Sequence, residues 1–399
     1  MLVIRILLAS VLAVFLTACN EEQVASVPDN SPPDDKAACQ YDGVAFYDNF
    51  QMARIDGCQQ ISATEFELTI EPESLPAHHS PWYAFQVSSD REQRISVTLK
   101  YTEKAHRYAP KTSLDKKSWA LVPQDQVVEL DEGKSVRIGL DVGPTPIYVA
   151  GQEIIDNDDY DQMELLLAQK PFVTRTQIGS SEQGRPIYKL ETNSSDSGDF
   201  LVLTGRQHPP EITGALGMLH FVDVLMADTP LAQEFRSKVN LLIVFNMNPD
   251  GVEHGHWRKN VNGIDLNRDW GPMEQAETRV VINELQRFLD TEKERMRFFV
   301  DFHSTGKDVI YTLKDSEPAD AEETIFRWIG MIDERLPEHP VVTGGSYNPA
   351  KFLSKNYVFK TFGAPAVTYE MGDHTDRELI RTKSVAAAEE MMKLLLSKQ

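Results

Sequence analysis

Two kinds of hydrophobic spacing divide the chain. From Cys39 to Gly143 short runs alternate apolar and polar residues, as in Phe66-Glu67-Leu68-Thr69-Ile70, and again at 82–87, 95–99, 127–130 and 136–142. A period of two, bounded by turn residues, predicts half-buried strands. A series of them with no helical period predicts a small antiparallel β-sandwich over 39–143. Trp82, Phe85 and Trp119 are read as its core rather than as an aromatic ligand platform. Pro144-Thr145-Pro146 marks a boundary. Beyond it, continuous apolar runs at 200–204, 240–245, 298–302 and 364–369 are interleaved with helical spacing at 160–169, 212–226, 274–294, 319–335 and 377–396. Buried strands alternating with helices predict an α/β fold over 144–399, a doubly wound and mainly parallel sheet.

The N-terminus has neither pattern. Arg5 precedes an apolar run that ends at Ala18, too short for a comfortable membrane span. It closes on Leu16-Thr17-Ala18-Cys19, which resembles the lipobox of bacterial lipoproteins. That resemblance implies a signal peptide over 1–18 and a lipidated Cys19 as the mature N-terminus. Asn20 is not the residue associated with inner-membrane retention, so the expected location is the periplasmic face of the outer membrane. Residues 19–38, with Pro28, Pro32, Pro33, Asp34 and Asp35, read as a disordered tether. In an oxidising compartment Cys39 and Cys58 are expected to pair. Closing that loop of about 20 residues contributes roughly 3 kcal/mol in the chain-entropy model.

Composition narrows the function classes. The 399 residues are 41% hydrophobic and 25% charged, an ordinary globular balance. Lys and Arg number 40 against 61 Asp and Glu, a formal charge of −21. Such a surface repels phosphate backbones, so no nucleic-acid partner is expected. It also resists an anionic bilayer, which leaves the lipid anchor as the membrane contact. No feature implies an obligate protein partner.

The chemistry gathers where the strand-like runs of the second half end. After 200–204 comes Gly205-Arg206-Gln207-His208-Pro209-Pro210-Glu211, at the start of a helix. An imidazole and a carboxylate three residues apart on such a turn can reach one ion. After 298–302 comes His303. Two His and one Glu are a common catalytic-zinc set, with a coordination position left open. The same donors accept other divalent ions. His254 and His256, flanked by Gly251 and Gly255, are read as loop residues rather than a second metal site.

Further motifs follow in order: Asn248-Pro249-Asp250-Gly251, then His256-Trp257-Arg258-Lys259, then Gly263-Ile264-Asp265-Leu266-Asn267-Arg268, and finally Thr368-Tyr369-Glu370. Together they resemble the metallo-carboxypeptidase family over about 150–395. Residues 179–187 are similar to that family's opening turn and strand. The β-domain ahead of the catalytic part resembles the arrangement of the cytosolic-carboxypeptidase branch. The resemblance implies one zinc ion per chain, held by His208, Glu211 and His303. It implies Glu370 as the general base that takes a proton from the attacking water and returns it to the leaving amine. Arg258 corresponds to the residue that stabilises the oxyanion. Asn267 and Arg268 correspond to the pair that holds the substrate's terminal carboxylate. Tyr347 is the positional candidate for the tyrosine that caps the substrate, with Lys355 and Tyr357 nearby as alternatives. The Gly344-Gly345-Ser346 order before Tyr347 departs from the pancreatic pattern.

The implied substrate is a peptide with a free C-terminal carboxylate. A peptidoglycan stem-peptide amidase or carboxypeptidase, an N-acyl amino acid deacylase and a non-catalytic zinc or peptide-binding lipoprotein are the alternatives. The retained Arg258, Asn267 and Arg268 favour peptides over N-acyl amino acids. The complete ligand set and base favour catalysis over binding. The lipobox carries its own prediction: Cys19→Ser should release the protein into the soluble envelope fraction. Unchanged fractionation and unchanged mass would exclude the anchor.

Overall fold

The computed structural model describes residues 37–289 and 293–397, so the signal peptide, Cys19 and all but the end of the tether lie outside the described residues. The apolar runs of the second half pair into one eight-stranded sheet. Its order is Val173–Ser180, Pro186–Thr192, Asn240–Val244, Asp199–Gly205, Arg295–Thr305, Ala366–Gly372, Val309–Tyr311 and Thr343–Gly344. The four central strands are parallel, and antiparallel pairs flank them. Every residue of Asp199–Gly205 and Asn240–Val244 is buried. That requires cover on both faces.

Alternation along Arg295–Thr305 shows both layers. Phe298 and Phe302 meet Trp328 of the helix Asp320–Arg335 and Phe221 of the helix Ile212–Leu225. Phe299, Asp301 and His303 point the other way, where Phe299 meets Trp270 and Asp301 meets Ser354 of the helix Ser354–Phe362. That helix has no clear apolar stripe and is absent from the sequence reading. The helical spacing at 274–294 becomes the helix Ala276–Leu285 and a single 3-10 turn, Gln286–Leu289. Among the described residues no single helix is long and apolar enough to cross a membrane.

Among the four parallel strands the winding reverses once. From Asp199–Gly205 the chain moves to its neighbour Asn240–Val244, then returns to the opposite side of the first strand as Arg295–Thr305. Crevices form at the C-terminal strand ends beside such a reversal. His208 and His303 lie at those two ends.

The first half is a two-sheet sandwich. One sheet holds Cys39–Tyr41, Val44–Tyr47, Ala84–Ser89, Ile147–Ala150, Lys111–Ser113 and Ala120–Leu121. The other holds Gly57–Gln60, Glu65–Ile70, Gln93–Tyr101, Ser135–Val142 and Val127–Leu130. Glu65–Ile70 pairs with Gln93–Tyr101 in parallel, an exception in an otherwise antiparallel arrangement. Alternation specifies which face a residue takes and is silent on strand direction. Ile147–Ala150, beyond the Pro144-Thr145-Pro146 turn, sits in the middle of its sheet. Cys39 and Cys58 are disulfide-bonded, with Cα atoms 6.3 Å apart, and join an edge strand of one sheet to an edge strand of the other. The sandwich core also takes in Ile212, Val252 and Trp257 from the second half.

One glycine sets how closely the helix Ile212–Leu225 approaches the strand end at His303. A Cβ on Gly214 would lie 2.2 Å from the His303 carbonyl oxygen. Gly214→Ala should therefore destabilise the fold by about 1–3 kcal/mol, the usual range for overpacking, and loosen bound metal with it. Denaturant unfolding and metal analysis measure both; wild-type values for each would refute the packing argument.

Candidate metal centre and active site

The loop after Asp199–Gly205 is braced from several sides. Arg206 takes a left-handed φ of 53°. Its buried guanidinium donates to the Pro209 carbonyl at 2.9 Å and the Tyr160 hydroxyl at 2.9 Å, and it meets the Met52 sulfur at 3.3 Å. Gln207 donates to Asp301 at 2.6 Å and accepts from the Trp270 indole at 3.0 Å. His208 and Glu211 are thus presented at the start of the helix Ile212–Leu225.

His208, Glu211 and His303 are buried, with ligand atoms all within 4.8 Å of one another. The Nδ1 atoms of the two imidazoles are 3.1 Å apart. His208 Nδ1 is 2.9 Å from Glu211 Oε1, and His303 Nδ1 is 2.8 Å from Glu211 Oε2. On the far side, His208 Nε2 faces Asp265 at 2.9 Å and His303 Nε2 faces Asp301 at 2.9 Å. An ionised carboxylate only accepts, so each Nε2 carries a proton and a neutral imidazole keeps its lone pair on Nδ1. With both imidazoles neutral, two nitrogen lone pairs and a carboxylate converge on one point. A divalent cation resolves that arrangement, and the outward carboxylates are the usual partners of metal-bound histidines. The donor spacing is close to the roughly 3.3 Å that four-coordinate zinc with bonds of about 2.0 Å imposes. The residues fit zinc.

Electrostatics around the set are strong. Burial opposes ionisation of Asp265, but His208, Arg258 and Arg268 outweigh it and hold the carboxyl well below its usual range. Burial also disfavours the charged form of His303, yet Asp301 and Glu211 raise its pKa well above normal. Protons and a metal ion therefore compete for the same lone pairs.

Glu370, Arg258, Asn267 and Arg268 line a cavity of about 410 Å³ together with the three metal donors. Glu370 lies on Ala366–Gly372 in register with His303. Its Oε2 is buried without a hydrogen-bond partner among the described residues. Burial, reinforced by the charge of Glu211, pushes its carboxyl up to about 8. Arg258 donates from Nε to Asp265 at 2.6 Å and sits 3.5 Å from Glu211. Asp265 thereby bridges Arg258 and His208. Asn267 accepts from the Ser354 backbone at 2.9 Å, which leaves its amide nitrogen toward His303. Arg268 donates from Nη1 to the Asn267 carbonyl and lines the cavity.

Tyr347 is not among the lining residues. Its ring packs edge-on against Phe359 at 5.0 Å. Tyr357 packs near Trp270 and also stays out. Tyr311 is the tyrosine that lines the cavity, as does Lys355. The Lys355 ammonium donates to Thr312, Ser346 and Asn356, and burial lowers its pKa to about 8. Asp265, Asp301 and Tyr311 were not singled out from sequence. Neither were His78 and Arg107, which reach the cavity from the sandwich. The aspartates stand two residues before Asn267 and two before His303, a spacing that could have drawn notice.

Residues 160–380, more than half of the chain, match the family model described as zinc carboxypeptidase. Cytosolic carboxypeptidase 6 of Mus musculus is 24% identical over 287 residues, 64% of this chain and 52% of that protein. Cytosolic carboxypeptidase 2 of Xenopus tropicalis is 25% identical over 272 residues, 60% of this chain and 28% of that protein. The chain thus spans about half the length of the first of these relatives and less of the second. A metallo-carboxypeptidase from Burkholderia cenocepacia superposes with a TM-score of 0.78 at 20% identity, over 90% of this chain and 100% of that one. One from Pseudomonas aeruginosa, solved with (2-guanidinoethylmercapto)succinic acid, gives 0.71 at 22% identity over 89% and 100%. Both share the fold across sandwich and sheet alike. With the motifs in order, the strand-end triplet built and the family model matched across the α/β half, the chain belongs to the zinc carboxypeptidase family.

Proposed function

We propose that this protein removes C-terminal residues from peptides at the bacterial cell envelope, tethered there by a lipidated Cys19. The observation that carries the reading is the unpartnered, buried Oε2 of Glu370, lining the same cavity as the three converging metal donors. His208, Glu211 and His303 would hold the zinc, which when bound would supply Lewis-acid chemistry and make water more acidic. Glu370 accepts the proton of the attacking water and returns it to the leaving amine. Its raised pKa belongs to the site without a cation, since a divalent charge beside it favours the carboxylate. Arg258, steadied by Asp265, stabilises the negative charge that develops on the carbonyl oxygen. Arg268 receives the terminal carboxylate with its remaining guanidinium donors.

The cavity wall supports a preference for acidic C-terminal side chains. Arg268, Lys351 and Lys355 line it, in a chain of formal charge −21. The three donors of Lys355 are engaged by the protein, so it contributes charge rather than contact. The pairing of Cys39 and Cys58 accords with an exported chain.

Glu370→Gln should lower kcat by about 10²–10⁴-fold, with metal content and KM nearly unchanged. Arg268→Ala should weaken free-acid substrates by roughly 2–5 kcal/mol and spare the same peptides amidated at the C-terminus. Equal impairment of both forms would favour an amidase acting on stem peptides. Across peptides ending in Glu, Leu and Lys, kcat/KM should be highest for Glu; a preference for Lys would overturn the reading of the cationic wall.

A further inference from the structure

The segment between the sandwich strands Glu65–Ile70 and Ala84–Ser89 reaches across to the loop that carries Arg258. The Glu73 carboxylate accepts three consecutive backbone N–H groups: Trp257 at 2.8 Å, Arg258 at 3.1 Å and Lys259 at 2.7 Å. Lys259 returns the contact, donating from Nζ to the Ser74 hydroxyl and the Pro76 carbonyl, each at 3.0 Å. The Trp257 side chain is fully buried in the sandwich core. On the other flank of the loop, Gly255 has a φ of 57° and a Cβ there would lie 2.7 Å from the Met52 carbonyl oxygen. Met52 also donates its backbone N–H to the Glu253 carbonyl at 3.2 Å. The sandwich therefore grips this loop from the ring before Arg258, from the amide of Arg258 and from the side chain after it. Within the catalytic half the guanidinium is held by Asp265 and lies near Glu211.

We infer that Glu73 is a positioning residue for Arg258, and that the sandwich takes part in the reaction by fixing where that guanidinium sits. Three successive amides aimed at one point need an anion at that point. Without it the loop turns its donors elsewhere and Arg258 moves from the place where charge develops. Preorganised donors act only at the right distance, and a misplacement of about 1 Å can cost on the order of 10²-fold. The inference rests on the proposed role of Arg258 in carboxypeptidase action.

A double-mutant cycle tests it in the full-length, zinc-loaded protein with one free-acid peptide. Glu73→Gln keeps shape but replaces one acceptor with a donor facing an N–H. It should lower kcat by about 10- to 100-fold, with KM within about threefold and zinc content and Tm at wild-type values. In an Arg258→Ala background the same change should cost less than about twofold. An equal loss in both backgrounds, no loss in the wild-type background, or a loss tracking zinc or Tm would each overturn the positioning role while the carboxypeptidase reading stands. A zinc-loaded wild-type protein that leaves all C-terminal peptides intact would overturn both. Should Glu73→Gln fold poorly, Glu73→Asp, which retains the charge on a shorter stem, should show a smaller kcat loss; a normal Tm with no kcat loss would again count against the inference.

Discussion

The convergence of two imidazoles and a carboxylate on one point organises the catalytic half. Two imidazole nitrogens and a carboxylate are pressed to within 2.8–3.1 Å of one another, and the fold opposes their separation. Asp265 and Asp301 stand behind the imidazoles and fix which nitrogen bears the proton. Asp301 is itself bound by Thr204, Gln207 and Ser354, so two separate segments, a strand end with its loop and a helix start, agree on the orientation of one ring. Buried polar groups at this density persist only when each has a partner. The inward lone pairs are the part the protein leaves for an ion.

The cavity beside them reverses the charge of the whole molecule. A chain of −21 repels acidic ligands at long range, yet Arg107, Arg258, Arg268, Lys351 and Lys355 line this one recess. Screening in salt confines the surrounding negative field to roughly 8–10 Å, while charges facing a partly desolvated recess keep more of their strength. Short-range attraction can therefore dominate once a ligand is close.

Much of this was legible in the chain, where local spacing carries the physics. The uninterrupted run Leu201-Val202-Leu203 marks a strand buried on both faces, and Pro209-Pro210 before Glu211 marks a first helical turn. Those signals place His208 and Glu211 together, and the run before His303 does the same for the third donor. What lay beyond reading depends on contacts with no local trace. Glu73 meets Trp257 across 184 positions, and nothing in Pro72-Glu73-Ser74 distinguishes that carboxylate from a solvated one. Tyr347 shows the converse: its place in the chain suited a substrate cap, but Phe359 offers the ring an apolar partner. The helix Ser354–Phe362 was invisible because Lys355 and Asn356 are buried through polar contacts, so burial and hydropathy part company there.

The strand Ile147–Ala150 has a consequence for modularity. It lies between Ala84–Ser89 and Lys111–Ser113, in the interior of its sheet, and from there the chain passes directly into the α/β half. A cut at the proline turn before it would remove an inner rung and leave two unpaired strand edges, which invite association. The sandwich is therefore not a cassette that recombination can exchange at its apparent border. The two halves are expected to be inherited, truncated and redesigned as one piece.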